Sequence, residues 1–484
     1  LFSNIPFFRF APIPISYSVL FHPPLKPDRH RMAISQEQSA NEQTTHSELK
    51  GFRAAFLDFV ADPFYVSELE SVRYFPDGLL VLENGAVKEL GAYGELQERY
   101  QDLPITAYPN KVIMPGFIDT HIHFPQIEAI AAYGTQLLDW LNQYTFPTEG
   151  KFKDKTYAKQ VAEIFLDELL KNGTTTALVF AAVFPQSAEA FFEAASQRHL
   201  RMIAGKVMMD RNAPDFLVDT PESSYAETKA LIQKWHHQGR LLYAVTPRFA
   251  VTSTDEQLRL AGQLLQEFPN VYLHTHLSEN VSEVELVAKL FPDSQGYLDV
   301  YDRAGLVRPR SVFAHGVQLT DEEFARLSET QAAIAFCPTS NLFLGSGLFK
   351  LTKAKSPPHP VLVGLGTDVG GGTSFSLLDT AHEAYKVVQL QHQNLSPFKA
   401  LFLVTLGGAK ALYLDHKIGN FDPGKEADFV VLDPQATPLM AFRNPNPTPA
   451  SVSTLAEMMF SLIVLGGDRA VHATYILGEP AYRK

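Results

Sequence analysis

The sequence predicts an α/β fold, a TIM-like (β/α)8 barrel joined to a small β-sandwich domain formed from both chain ends, and three observations carry that reading. From Lys111 onward, eight short runs of β-branched and apolar residues alternate with segments of helical period. Histidines and acids gather where those runs end. Residues 51–110 and 416–484, on either side, read as short strands and turns. A chain of 484 residues has room for a barrel of about 250 residues or more and a smaller companion.

The eight runs are Val112–His123, Thr175–Ala181, Met202–Met209, Leu242–Arg248, Val271–His276, Ser311–His315, Ala333–Pro338 and Val361–Thr367. Between them, Val161–Lys171 and Val281–Leu290 place apolar residues at three- and four-residue steps, the period of a helix with one buried face. Ser253 with Glu256, and Thr320 with Glu323, have the spacing of a capping box and mark helix starts. In the flanks, Leu79–Leu82 runs into an Asn84-Gly85 turn. Pro423 and Gly424 precede the run Phe429–Leu432, and a last strand Thr474–Leu477 stops at Gly478. The expected organisation is an extension over 1–50, a β domain begun over 51–110, the barrel over 111–415, and the β domain completed over 416–484.

Apolar residues make up 45% of the chain and charged residues 19%, the balance of a soluble globular protein. A net charge of -12 with no basic stripe argues against a nucleic-acid partner, because phosphate binding needs a positive face. The single cysteine, Cys337, excludes an internal disulfide and points to a reducing, cytoplasmic setting; in its apolar run it reads as core. No run of 18 apolar residues occurs, so no membrane span is expected. The stretch before Met32 lacks the ordered regions of a targeting peptide, and Met32 reads as the native start.

His121 and His123 close the first run, where residues i and i+2 share a face about 6.5 Å apart and can converge on one ion. The later runs end in His276 with Glu279 just beyond, then His315, then Asp368. Alone, Glu279 is an ordinary first-turn helix acid, His315 a core histidine, and Asp368 a turn residue before Gly370, Gly371 and Gly372. Together they fall on one rim of one barrel, where such barrels build their sites. His121, His123, His276 and Asp368 are the expected ligands; His274 is a rival on the same strand face, but His276 lies nearer the rim. Three imidazoles and one carboxylate suit one zinc ion per subunit, and the same ligand types serve iron(II) and manganese. A second metal needs a bridging carboxylated lysine on the fourth strand, where Leu242–Arg248 has none; Lys206 is on the third.

The segment Pro115-Gly116-Phe117-Ile118-Asp119-Thr120-His121-Ile122-His123 resembles the opening metal motif of the amidohydrolase superfamily, as does the late Gly424-Lys425-Glu426-Ala427-Asp428-Phe429-Val430 element. Within it the chain resembles the guanine deaminases. The resemblance is carried by His123-Phe124-Pro125-Gln126, Tyr133-Gly134, Leu137-Leu138-Asp139-Trp140-Leu141 and Tyr144-Thr145-Phe146-Pro147. Thr246-Pro247-Arg248-Phe249, His276-Leu277-Ser278-Glu279, Phe336-Cys337-Pro338-Thr339-Ser340-Asn341 and Gly366-Thr367-Asp368 continue it. It implies hydrolysis of guanine to xanthine and ammonia by a homodimer. Glu279, His315 and Asp368 would be catalytic. His123, Phe124, Pro125, Gln126, Arg248, Phe249, His276, Glu279 and Asp368 would contact substrate, with Gln126 and Arg248 on the purine edge. The runner-up is a relative acting on cytosine or a triazine.

Overall fold

The computed structural model describes residues 48–133 and 137–484. Met32, almost all of the expected extension over 1–50, and Gly134 lie outside them.

The described chain opens in a sheet of strands β1 (Leu49–Phe59), β2 (Val72–Glu83), β3 (Ala86–Ala92) and β4 (Ile105–Pro115). The β2–β3 hairpin turns at Asn84 and Gly85, both at positive φ, as the Asn-Gly pair predicts. β4 then gives way to β5 (Phe117–His123), so the run read as one strand, Val112–His123, is two strands in two sheets. Gly116 is the reason. A Cβ there would lie 2.1 Å from Thr175 Oγ1, and its N–H is donated to the Asp428 carbonyl at 3.0 Å. Only a residue without a side chain lets the chain cross so close to the neighbouring strand.

From β5 the barrel continues through β6 (Thr174–Phe180), β7 (Arg201–Gly205), the two-residue β8 (Val207–Met208) that pairs with β9, and β9 (Leu242–Pro247). It is completed by β10 (Tyr272–Leu277), β11 (Ser311–His315), β12 (Ala333–Phe336) and β13 (Leu362–Leu365). Neighbouring strands are parallel and covered by helices on the outside, so they read as near-continuous apolar runs. The last strand meets the first through Asp368 N–H to His121 O (2.9 Å) and His123 N–H to Val369 O (3.0 Å). The residues that tie the barrel shut are therefore those of the rim cluster.

The chain end returns to the first sheet as β14 (Phe429–Leu432), β15 (Val471–Ile476) and β16 (Glu479–Arg483), giving the order β16-β15-β14-β4-β1-β2-β3. Both ends thus build one mixed sheet, and the strand expected to stop at Gly478 is the first arm of a hairpin. Alternation divides its faces: Ile113 and Val431 enter the sheet's own core with Phe52 and Tyr475, while Val112 and Met114 join the barrel's core. The Glu426-Ala427-Asp428 element anchors this return. Glu426 accepts from Arg201 Nε at 2.6 Å and Arg240 Nη2 at 2.6 Å, and Arg240 also pairs with Asp428.

Two helix details differ from expectation. Thr254, not Ser253, caps Asp255–Glu267, while Thr320 and Glu323 do form their capping box. Helix Val452–Leu465 interrupts a flank read as strands and turns. Its apolar residues are too many to show one stripe; it packs Leu455, Met459 and Leu462 inward and lies against helices Leu377–Leu390 and Pro397–Leu403 of the barrel's outer layer. No helix among the described residues is long and apolar enough to cross a membrane. Cys337 is fully buried, its thiol near the Ala335 carbonyl and pushed up by burial, which fits a core residue.

Candidate active site

Strand alternation puts His121 and His123 on the inner face of β5, and His274 and His276 on the inner face of β10. At the rim, His123 Nε2 lies 3.2 Å from both His121 Nε2 and His276 Nε2. Asp368 Oδ1 is 3.1 Å from His121 Nε2 and 3.3 Å from His123 Nε2. A tetrahedral ion with bonds of about 2.0–2.1 Å holds its ligand atoms about 3.3 Å apart, so the four atoms fit one metal. Two of the rings have their second nitrogen engaged elsewhere. His276 Nδ1 donates to the Arg248 carbonyl at 2.7 Å, and His121 Nδ1 is 2.7 Å from His274 Nε2, which leaves lone pairs facing lone pairs at the centre. Such a cluster has the donor set to hold a cation. Burial pushes His123 down to about 3 and lowers His121 and His276, so the rings are in the neutral, ligating form. Burial alone would lift Asp368, but positive charge at the neighbouring nitrogens, His121 first, draws it well below the usual carboxylate range; with the rings neutral, a bound cation would supply that charge.

His274 is placed one layer deeper, where it orients His121. His274→Ala should therefore weaken metal affinity about 10- to 100-fold without abolishing binding, as loss of a partner behind a ligand usually does. Competition with a chelator measures this. An affinity unchanged from wild type would show that His121 needs no such support.

His315 ends β11 at φ 73° and turns Nδ1 to Asn341 Oδ1 at 2.8 Å. Its Nε2 is 3.5 Å from Glu279 Oε2 and 3.8 Å from Asp368 Oδ2. The ligand atoms of His121, His276, His315 and Asp368 also lie within 4.8 Å of one another. His123 makes the tighter set, and His315 is better placed to bridge the two carboxylates. Asp368, at φ 52°, is held through Gly372, whose Cβ would lie 1.8 Å from the Thr367 carbonyl. Beneath it, Asp119 accepts the N–H groups of His121 and Thr367 at 3.1 Å each, joining first strand to last.

Glu279 follows β10 after Ser278, another residue at positive φ. Its backbone N–H is donated to Glu283 Oε2 at 2.8 Å, and Ser346 donates to its Oε1 at 2.8 Å. Burial, reinforced by the negative Asp368 and opposed by Ser346, pushes Glu279 up to about 8, so it holds a proton at neutral pH. Lys206 is elsewhere, buried against Asp219 at 2.6 Å and Glu227 at 3.3 Å, and no lysine reaches the cluster among the described residues.

One pocket opens over the cluster. Gln126, Arg248, Phe249, Glu279, His315 and Asp368 line it with His123 and His276, and Leu137, Trp140, Leu141 and Leu344 supply apolar walls. Phe124 and Pro125, expected to contact substrate, do not line it. Phe124 is fully buried with its ring 5.1 Å from Phe152 and 5.4 Å from Phe191, because the turn Phe124–Ala129 sends that side chain into the core and only Gln126 back to the pocket. The sequence reading also missed Glu149, which binds Arg248 Nη1 through both oxygens at 2.8 Å and accepts from Gln126 Nε2 at 3.0 Å. Nothing in the sequence separates Glu149 from an exposed helix acid.

A parallel barrel with a rim cluster able to hold one metal ion beside a buried, proton-bearing acid is the layout of a metal-dependent hydrolase. The model of the amidohydrolase family matches residues 112–480, and the chain belongs to that family. Guanine deaminases are among its relatives within that family. The guanine deaminase of Escherichia coli K12 is 52% identical over 438 residues, which cover 90% of this chain and 98% of that one. The crystal structure of guanine deaminase from Bradyrhizobium japonicum superposes with a TM-score of 0.87 at 42% identity, covering 90% of this chain and 99% of that one. That of the C. acetobutylicum enzyme with bound guanine in its active site gives 0.80 at 28% identity, covering 90% and 100%.

Proposed function

We propose that this protein hydrolyses guanine to xanthine and ammonia, with His121, His123, His276 and Asp368 holding one zinc ion, a site whose ligand types iron(II) and manganese also share. The observation that carries the reading is that a proton-bearing acid, Glu279, and a donor pair, Arg248 and Gln126, line the same small pocket as the cluster.

A bound divalent ion supplies a polarised water whose pKa falls toward neutrality. Asp368 offers Oδ2, the oxygen on the His315 side, to take a proton, and His315 hydrogen-bonds the attacking oxygen and aims it at guanine C2. Glu279 gives its proton to ring N3; of the two protons of the attacking water, one passes through Glu279 to the amine that leaves C2 as ammonia and the other restores the Glu279 acid. Arg248 donates to O6, and the apolar walls keep bulk water from the ring. The same reading makes the enzyme a cytoplasmic homodimer of purine breakdown, and the single buried Cys337 fits a reducing compartment.

Ammonia release by metal-loaded protein, compared across guanine, cytosine, adenine and ammeline, tests it. Guanine should be strongly preferred; turnover led by cytosine or ammeline would favour the runner-up. Arg248 gives a sharper expectation, because a guanidinium has five donors and no acceptor and serves an oxo group but not an amine. Arg248→Ala keeps the carbonyl that holds His276, so metal should stay, while kcat/KM for guanine should fall about 10- to 150-fold with the loss of a charge-assisted hydrogen bond. 2-Aminopurine, which has no O6, should be processed poorly by wild type and suffer far less from the change. Equal losses on both substrates would mean that Arg248 only supports the pocket.

A further inference from the structure

We propose that Glu149 is a specificity-determining positioning residue, which turns Arg248 and Gln126 into a wall of hydrogen-bond donors and so restricts the pocket to heterocycles with an acceptor-only edge. The inference rests on the guanine reading above and concerns the same pocket.

Glu149 is fully buried and has two partners, both lining the pocket. Both of its oxygens are 2.8 Å from Arg248 Nη1, and Oε1 also takes one amide hydrogen of Gln126 at 3.0 Å. The other end of that amide is fixed as well, since Gln126 Oε1 accepts the Gly370 N–H at 3.3 Å. An amide free to flip can show either a donor or an acceptor, but this one is pinned from both ends with its acceptor turned away. What remains for a ligand is one Gln126 amide hydrogen and the unused Arg248 N–H groups. All are donors.

The helical turn Phe146–Gly150 makes this a clamp. Phe146 and Glu149 are three residues apart and share its face, and the Phe146 ring lies 5.4 Å from Arg248 Cζ. The guanidinium is thus held by a ring and a carboxylate from one short segment, while its own backbone carbonyl holds His276. On guanine, O6 and N7 are neighbouring acceptors; replacing O6 by an amine puts a donor against the wall.

The test compares guanine with 2,6-diaminopurine, which keeps the C2 amine and the reacting ring atoms but carries a donor at C6. Kinetics, metal content and Tm are measured on the metal-loaded full chain. Glu149→Gln keeps the shape but puts an amide against Arg248 and Gln126, so Gln126 can turn and show its oxygen. The wild-type preference for guanine over 2,6-diaminopurine, as a ratio of kcat/KM, should fall about tenfold or more with metal content unchanged. Should that variant fold poorly, Glu149→Asp, one carbon too short to meet both partners, should lower the preference at least about threefold. Equal losses on both substrates, or an unchanged preference in either folded variant, overturn the proposal and make Glu149 a structural support. A wild type inactive on guanine overturns the guanine reading and this inference together, whereas an active wild type with a substrate-independent loss overturns this inference alone.

Discussion

His276→Ala and Asp368→Ala should each lose tightly bound metal and activity together. The four converging atoms come from two strands, β5 and β10, and the segment that follows β13, so no single segment can keep the site once a corner is gone. The structure adds a discriminating pair. His123→Ala should lose metal, because its Nε2 sits 3.2 Å from two other ligand nitrogens and 3.3 Å from Asp368 Oδ1. His315→Ala should keep metal and lose turnover, because its Nε2 stands 3.5 Å from Glu279 and 3.8 Å from Asp368, out of the tight set. Elemental analysis after extensive dialysis measures both. Full occupancy in the His276 and Asp368 variants would remove the ligand assignment, and metal lost from His315→Ala but kept by His123→Ala would exchange those two roles. The expected loss of activity in a true ligand variant is near total, since a missing donor alters geometry and charge at once.

The barrel was legible because parallel strands covered on both sides must be continuously apolar, and each run from Thr175 to Thr367 holds strand within a few residues of its expected ends, although Met202–Met209 divides at Lys206 into β7 and β8. The first run misled for a physical reason: two strands in different sheets are joined only by Gly116, and both sides of that glycine are equally apolar. Helix Val452–Leu465 was hidden in the same way, since its apolar residues leave no period to read. The histidines and Asp368 could be placed because a strand's period of two and its end are visible in sequence. Burial of polar partners is not. Glu149, Ser346 and Glu283 reach the site through turns and helices whose tertiary position sequence does not show, and Phe124 stands next to a ligand yet points into the core. His274 shows the limit at its finest: it shares a strand face with His276, and only its depth makes it a support to His121 rather than a ligand.

Glu279→Gln should keep the metal while turnover falls by about 10² to 10⁴-fold. Glutamine fills the same space and can still receive the Ser346 hydroxyl, so the pocket survives, but an amide cannot give a proton to N3 and take one back. Asn280, next in sequence, is too weakly basic to stand in, and its side chain is committed to the N–H of Ser282. The pH profile supplies a second readout with a definite sign. Burial and the Asp368 charge push Glu279 up to about 8, so the acid form is present below that pH and is lost as pH rises through it. Wild-type kcat/KM should therefore decline on the alkaline side as Glu279 loses its proton, and that limb should be absent from the slow residual activity of Glu279→Gln, which has no proton to lose there. A loss smaller than about tenfold, or an alkaline limb retained in the variant, would move the proton-carrying role to another group. His315, 3.5 Å from the Glu279 carboxylate, is the side chain placed to take it.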